Sequence, residues 1–424
     1  MLLGRGEKEM KETLWTRNFR LVTLASTLGA AGAIAGGFAL SFFVFDETGS
    51  TLAAALIVAI QLVPYVLVPL IVAPWMDRLP RKLFLVVGDI LNGILFAAMG
   101  LWLRFFAFSY IGYLCLSLLL ACLGSVDELA FTSIYPDLIP KGFEQKGYAV
   151  SSMLYPVLKV IMMPLGAILL DTVGVSNLLL MQGALSLLAA LTESLIRLDE
   201  HAKEHREPYT VRVWASDVKE AAVYLKHERG LLRIFSYMAF TNGVAGGYAP
   251  ILVAFFRTFP GMTAAMYSFF SVAEFLGRTL GSAVQYRIKI PNEKKFGFTF
   301  FVYQIYEVMD MCLLWLPYPL MLVNRGICGF LGSNSAILRS AAVQRYIPER
   351  LRARVNAFDG MLLTAASAVL ALLIGALGEV LDYRLCVTLC GAAAMLVCLV
   401  LILGGRRDVR RVYEASPDTS EVEA

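Results

Sequence analysis

Histidine is nearly missing from this 424-residue chain: His201, His205 and His227 are the only three, and all lie in one polar segment. Zinc and most transition-metal sites rely on imidazole, so no metal site is expected inside the chain. The sequence contains no HExxH, no catalytic-triad pattern and no G-x-x-x-x-G-K-[ST] loop. The first two absences count against an enzyme, and the third against nucleotide-driven work; no cofactor is expected. Cys115, Cys122, Cys312, Cys328, Cys386, Cys390 and Cys398 all fall in apolar runs and form no C-x-x-C pair. They are read as small hydrophobes. No cleaved leader is expected, because residues 1–18 are polar and the first apolar run is too long for one. The net charge of +4 is spread over many short segments, so no nucleic-acid partner is expected.

What the chain has in abundance is apolar sequence. Hydrophobic residues make up 58% of it, against about 45–50% in soluble proteins, and its mean hydropathy is +0.67. About 20 apolar residues cross the roughly 30 Å hydrocarbon core as a helix. About twelve such runs are expected: 19–45, 51–74, 83–103, 109–135, 148–170, 174–197, 231–256, 262–286, 296–316, 318–343, 355–378 and 384–404. Backbone groups must be satisfied internally in lipid, so the fold class is an all-α membrane protein.

The basic residues orient it. If every run crosses, all but seven of the 37 lysines and arginines fall in segments on one side. Only Arg104, Arg257 and Arg384 fall on the other, and Lys159, Arg278, Arg325 and Arg339 lie within runs. The positive-inside rule then places both termini in the cytoplasm.

The longest polar break, 198–230, falls near mid-chain. In it Trp214, Val218, Ala221, Ala222 and Leu225 recur at helical spacing, which predicts an amphipathic helix at the inner membrane surface. The flanking halves align with each other: 122–153 on 330–361 without gaps, at an offset of 208 residues. Leu123/Leu331, Gly124/Gly332, Ser125/Ser333, Ile139/Ile347, Pro140/Pro348, Ala149/Ala357 and Met153/Met361 are shared. Both segments end a fourth span, turn, and start a fifth, which suggests a parallel repeat about an axis normal to the membrane. The expected organisation is a six-helix bundle over 1–197, a linker over 198–230, a second bundle over 231–405 and a cytoplasmic tail over 406–424.

Between the second and third runs lies APWMDRLPRK, residues 73–82. Together with two halves of six spans and a central loop, it resembles the major facilitator superfamily. That family's loop signature reads Gly-x-x-x-Asp-Arg-x-Gly-Arg-Lys. Asp77, Arg78, Arg81 and Lys82 match it, while Ala73 and Pro80 replace the two glycines. LWTRNFRLVTLASTLG before the first span, DETGS after it, YPDLIP after the fourth and VKEAAVYLKHERGLLRIF entering the seventh are similar to the branch of macrolide-efflux-type and siderophore-export permeases. The resemblance implies that Asp77, Arg78, Arg81 and Lys82 form a latch that touches neighbouring helix ends when the inner side is closed. Asp359, opening the eleventh span, is a further member if an arginine such as Arg78 lies between the acids.

Ionisable groups at membrane depth are costly and mark function by default. Asp127 and Glu128 in the fourth span and Lys159 in the fifth lie at similar depth, so a Lys–acid pair is a candidate for the cavity. Adjacent helical residues project about 100° apart, so one of the two acids is expected to face inward. Glu274 and Arg278 are spaced i,i+4, either a self-satisfied pair or a cavity-facing acid that exchanges protons. Glu307, Asp310 and Arg325 are read as an outer structural cluster, and Asp89 and Glu193, on spans the resemblance makes peripheral, as structural. Gly29, Gly32, Gly36 and Gly37 in the first span are read as packing positions.

The function implied is proton-coupled efflux of hydrophobic or amphipathic, drug- or macrolide-like small molecules by alternating access. Direction rests on the resemblance. The expected setting is the plasma (inner) membrane of a bacterium, as a monomer, with the bilayer, protons and a small-molecule substrate as partners. A permease for a lysolipid, siderophore or metal ion, a non-transporting membrane sensor, and a membrane-embedded enzyme are the alternatives.

Overall fold

A computed structural model describes residues 13–76, 79–198, 211–287 and 290–414, and all regular structure among them is helical. Helix α1 (Arg17–Thr48) starts where the Thr16 hydroxyl accepts the Phe19 N–H. It stops at Gly49, whose left-handed backbone (φ 63°) lets its N–H close on Phe45 O at 2.8 Å. α2 (Thr51–Met76), α3 (Arg81–Phe105) and α4 (Tyr110–Leu138) follow.

α5 (Glu144–Ser194) has 51 residues, about 76 Å if straight, far more than one crossing needs. It breaks at Gly174 (φ 76°, ψ 166°), a backbone state that glycine alone adopts freely. Gly166 packs on Ala35, while Gln182 packs on Gly36. These two α5 positions stand equally far either side of Gly174 and meet neighbouring residues of α1. The chain therefore reverses at Gly174, and the two arms of α5 are the separate fifth and sixth runs of the hydropathy pattern.

The amphipathic helix of the linker is α6 (Val211–His227), with Ala221 and Leu225 buried. It packs on α11, where Arg354 binds Asp217 at 2.8 Å and also Glu220. The side chain of Trp214 lies outside the described residues. The second half comprises α7 (Arg229–Thr258), α8 (Ala264–Arg287), α9 (Asn292–Cys312), α10 (Tyr318–Tyr346), α11 (Glu349–Val380) and α12 (Tyr383–Cys398). A π-helical turn, Leu399–Leu403, extends α12, and α13 (Arg406–Glu414) closes the described chain. Hydropathy gives no sign of α13, yet Val409, Val412 and Tyr413 are buried against the second bundle.

By length and composition, eight of these helices can cross a membrane: α1–α5, α7, α11 and α12 with its extension. α8, α9 and α10 are less apolar because they carry Glu274, Arg278, Glu307, Asp310 and Arg325. The architecture is two six-helix bundles. α4 and α10 are both 29 residues long, and both their starts and their ends are offset by the 208 residues of the sequence repeat. Across the bundles α2 packs on α11 and the first arm of α5 on α8. Each contact is the counterpart of the other under a two-fold relation between halves. Without a hydrophobic drive in lipid, such packing relies on small residues; a methyl at Gly375 of α11 would overlap Ala55 of α2.

Candidate functional site

Between the bundles lies a cavity of about 860 Å³, walled mainly by α1–α5 and closed on the second-bundle side by Ala249, Pro250, Val253 and Tyr267. It extends from Val44 and Ala54, near the face opposite the basic loops, to Thr23, Tyr135 and Glu193, near the basic face.

The far face is bolted. Glu379, in the last turn of α11, accepts from Ser50 Oγ at 2.7 Å, Leu52 N at 2.8 Å and Thr51 Oγ1 at 3.1 Å. It thereby caps the Leu52 N–H at the start of α2 from the other bundle, beside the local Ser50 Oγ cap on Ala53 N. Thr51 also donates to Gly375 O at 2.8 Å. Arg257 of α7 grips Asp46 of α1 with two bonds of 2.6 and 2.5 Å. Just inside, Tyr267 stacks on Phe38 at 6.1 Å and packs on Phe42.

Both Asp127 and Glu128 line the cavity, where one acid was expected to face inward. Glu128 is exposed to it, near Tyr65 and Tyr155. Asp127 is tucked against α3, with a methyl at Gly88 reaching within 3.8 Å of its Oδ1. Lys159 also lines the cavity, but no ion pair joins it to either acid among the described residues. The expected Lys–acid pair is absent there: α4 packs chiefly on α2 and α3 and meets α5 at its inner end, where Tyr135 donates to Gly147 O at 2.7 Å.

The structure adds two residues that the sequence reading set aside as structural. Asp89 of α3 and Glu193 of α5 are on the cavity wall. Asp89, Asp127 and Glu193 lie within electrostatic reach of one another. Glu193 is 6% exposed, and among the described residues neither its Oε2 nor Asp127 Oδ1 has a hydrogen-bond partner. Gln182 is in the same condition, 6% exposed with Oε1 unpartnered. The signal was present as charges within apolar runs; ranking their helices as peripheral hid it. Of the α1 glycines, Gly32 and Gly36 pack on Gln182, but Gly29 and Gly37 line the cavity with open space before them.

In the second bundle Glu274, Glu307 and Asp310 each have a bonded partner, while Asp359 Oδ1 on α11 has none among the described residues. Glu274 and Arg278 pair with each other at 2.7 Å and do not line the cavity. Asp310 pairs with Arg325, which also donates to Asn324 Oδ1. Glu307 accepts from Tyr237 and Thr241, each at 3.1 Å. Asp359 lies within electrostatic reach of Arg339, in its own bundle. Asp77 and Arg78 lie outside the described residues. Arg81 donates to Ser133 O at 2.7 Å near the end of α4, and Lys82 to Ser194 O at 2.6 Å and Ile196 O at 2.7 Å at the end of α5. Both bind carbonyls at helix C-terminal ends, the favoured partners of cations.

The chain belongs to the Major Facilitator Superfamily, whose family model matches residues 21–305. No curated protein matches it in sequence. Among solved structures, the nucleoside transporter NupG superposes with TM-score 0.68 at 11% identity, covering 92% of this chain and 99% of that one. A peptide transporter POT bound to sulfate gives 0.65 at 12%, covering 94% and 96%. A bacterial homologue of the human lysosomal transporter Spinster, inward-facing and unoccupied, gives 0.62 at 16%, covering 93% of each chain. At these identities the likeness establishes the fold. The protein is a multi-pass membrane protein with a transporter's architecture.

Proposed function

We propose that the protein is a proton-coupled secondary transporter that exports amphipathic or hydrophobic small molecules by alternating access. The observation that carries this reading is the cavity wall: Asp89, Asp127 and Glu193 all line it within electrostatic reach of one another, with no bonded cation among the described residues. Like charges at close range repel, so such a set takes up and releases protons as other charges enter or leave. The wall mixes hydrogen-bonding groups, Gln61, Asn92 and Gln182, with Phe38, Phe96 and Phe131, which suits a substrate with both polar and apolar parts.

In this reading residues 1–197 and 231–405 rock as two bodies, joined by 198–230, and 406–424 stays with the second. The basic face is cytoplasmic, and the conformation described is open toward it. Asp77, Arg78, Arg81, Lys82 and Asp359 act when the inner side closes. Export, a macrolide-efflux-like substrate range, a bacterial plasma membrane and the absence of catalysis rest on the resemblance. The test is purified protein in liposomes under an imposed pH gradient, screened with lipophilic cations, macrolides, lysolipids and metal ions. Gradient-driven flux of an amphipathic compound is expected. Counterflow indifferent to the gradient would remove proton coupling, and ligand binding without flux would make the protein a sensor.

A further inference from the structure

The basic face carries a second cavity, outside the transport pathway, of about 340 Å³. Arg233 of α7 forms one side, Leu403–Gly405 the floor, and Arg406, Arg407 and Asp408 at the start of α13 the other side. The lining thus holds three arginines against one acid, and none of the three forms an ion pair among the described residues. Arg410, on the same helix but outside the cavity, is bonded to Glu414 at 2.8 Å.

The backbone at the floor is unusual. In the π turn Leu399–Leu403 the Gly404 N–H closes on Leu399 O at 2.9 Å. Such turns are rare in helices and recur at functional sites. The Arg233 side chain lies directly over Gly405, where an added methyl would have to push it aside. The far side of α13 is anchored through buried Val409, Val412 and Tyr413, the last with its hydroxyl 3.1 Å from that of Tyr303. Toward the membrane, α12 and its extension present Leu396, Leu399, Val400 and Leu403 at three- and four-residue spacing. They are 61, 37, 61 and 40% exposed, an apolar stripe that runs down to the cavity rim.

We propose that this cavity binds the headgroup phosphate of an anionic membrane phospholipid, with the acyl chains along the α12 stripe. Guanidinium groups match phosphate oxygens in geometry and charge. Basic pockets between spans at the inner face suit anionic headgroups. The stripe selects a lipid over a soluble phosphate, since only a lipid fills both parts. The inference does not depend on what the protein transports.

The test is native mass spectrometry of the detergent-purified full chain, titrated with dioleoyl phosphatidylglycerol or dioleoyl phosphatidylcholine. Wild type is expected to retain the anionic lipid about tenfold better. Arg233→Gln and Arg406→Gln/Arg407→Gln should each abolish most of that preference, while Arg410→Gln should keep it. Equal retention of the two lipids by wild type overturns the proposal, as does an equal loss in Arg410→Gln. In a second arm, inorganic phosphate at millimolar concentration should not displace the bound lipid. Displacement would mean a soluble-anion site and would overturn the lipid assignment.

Discussion

The two bundles share a fold and a repeat offset but treat most charges at membrane depth differently, Asp359 of the second being an exception whose Oδ1 is unbonded among the described residues. In the second, Asp310 is bound to Arg325, Glu274 to Arg278, and Glu307 to two hydroxyls. In the first, Asp89, Asp127 and Glu193 line the cavity without a bonded cation among the described residues. The repeat counterparts of Asp127 and Glu128 are Ser335 and Ala336, so the asymmetry was written onto one copy of a shared frame. A paired charge holds helices together. An unpaired one at a cavity wall is free to change its protonation, and under the proposed function structure falls to one bundle and coupling to the other.

The largest effect should come from breaking the second bundle's buried pair. Arg325→Leu leaves Asp310 buried and alone, at a cost of about 3–5 kcal/mol. Thermal unfolding in detergent should show the loss, and Arg325→Leu/Asp310→Leu should regain most of it. A single variant as stable as wild type would show that the pair is not structural.

Next comes the far-face bolt. Glu379→Ala removes three hydrogen bonds worth about 0.5–1.5 kcal/mol each. The far side should therefore open more often, by roughly 30- to 150-fold for a loss of about 2–3 kcal/mol. Distances between spin labels at positions 47 and 382 should lengthen; an unchanged distribution would mean that the bolt holds nothing.

Asp127→Asn should change stability by less than about 1 kcal/mol, because no bond to a cation is lost. It should nonetheless uncouple transport from the pH gradient while substrate binding persists. A large loss of stability would place Asp127 with the structural charges. The smallest effect is expected for Glu274→Gln, about 0.3–0.5 kcal/mol for an exposed i,i+4 pair, with coupling intact. Loss of coupling there would move the proton site into the second bundle.

Most of the fold was legible in the sequence, because lipid demands long apolar helices and cytoplasmic loops collect lysine and arginine. Even the turn within the 51-residue α5 showed as two runs that meet near Gly174. The site was only partly legible. Asp127, Glu128 and Lys159 were found as charges in apolar runs, and all three line the cavity. Depth along a helix is readable from residue number, but direction around it depends on which neighbours it packs against. That is why the Lys159 pairing did not form and why Asp89 and Glu193 were set aside. α13 was illegible for a related reason: nine residues rich in arginine read as a solvated tail until Val409, Val412 and Tyr413 find a bundle to bury them.

The most direct test is a pH jump on proteoliposomes that hold wild type, Asp127→Asn or Glu274→Gln, read through one transported compound. Uphill accumulation should occur with wild type and Glu274→Gln, and Asp127→Asn should retain only gradient-independent exchange. Full gradient response in Asp127→Asn, or its loss in Glu274→Gln, would contradict the division of labour between the bundles.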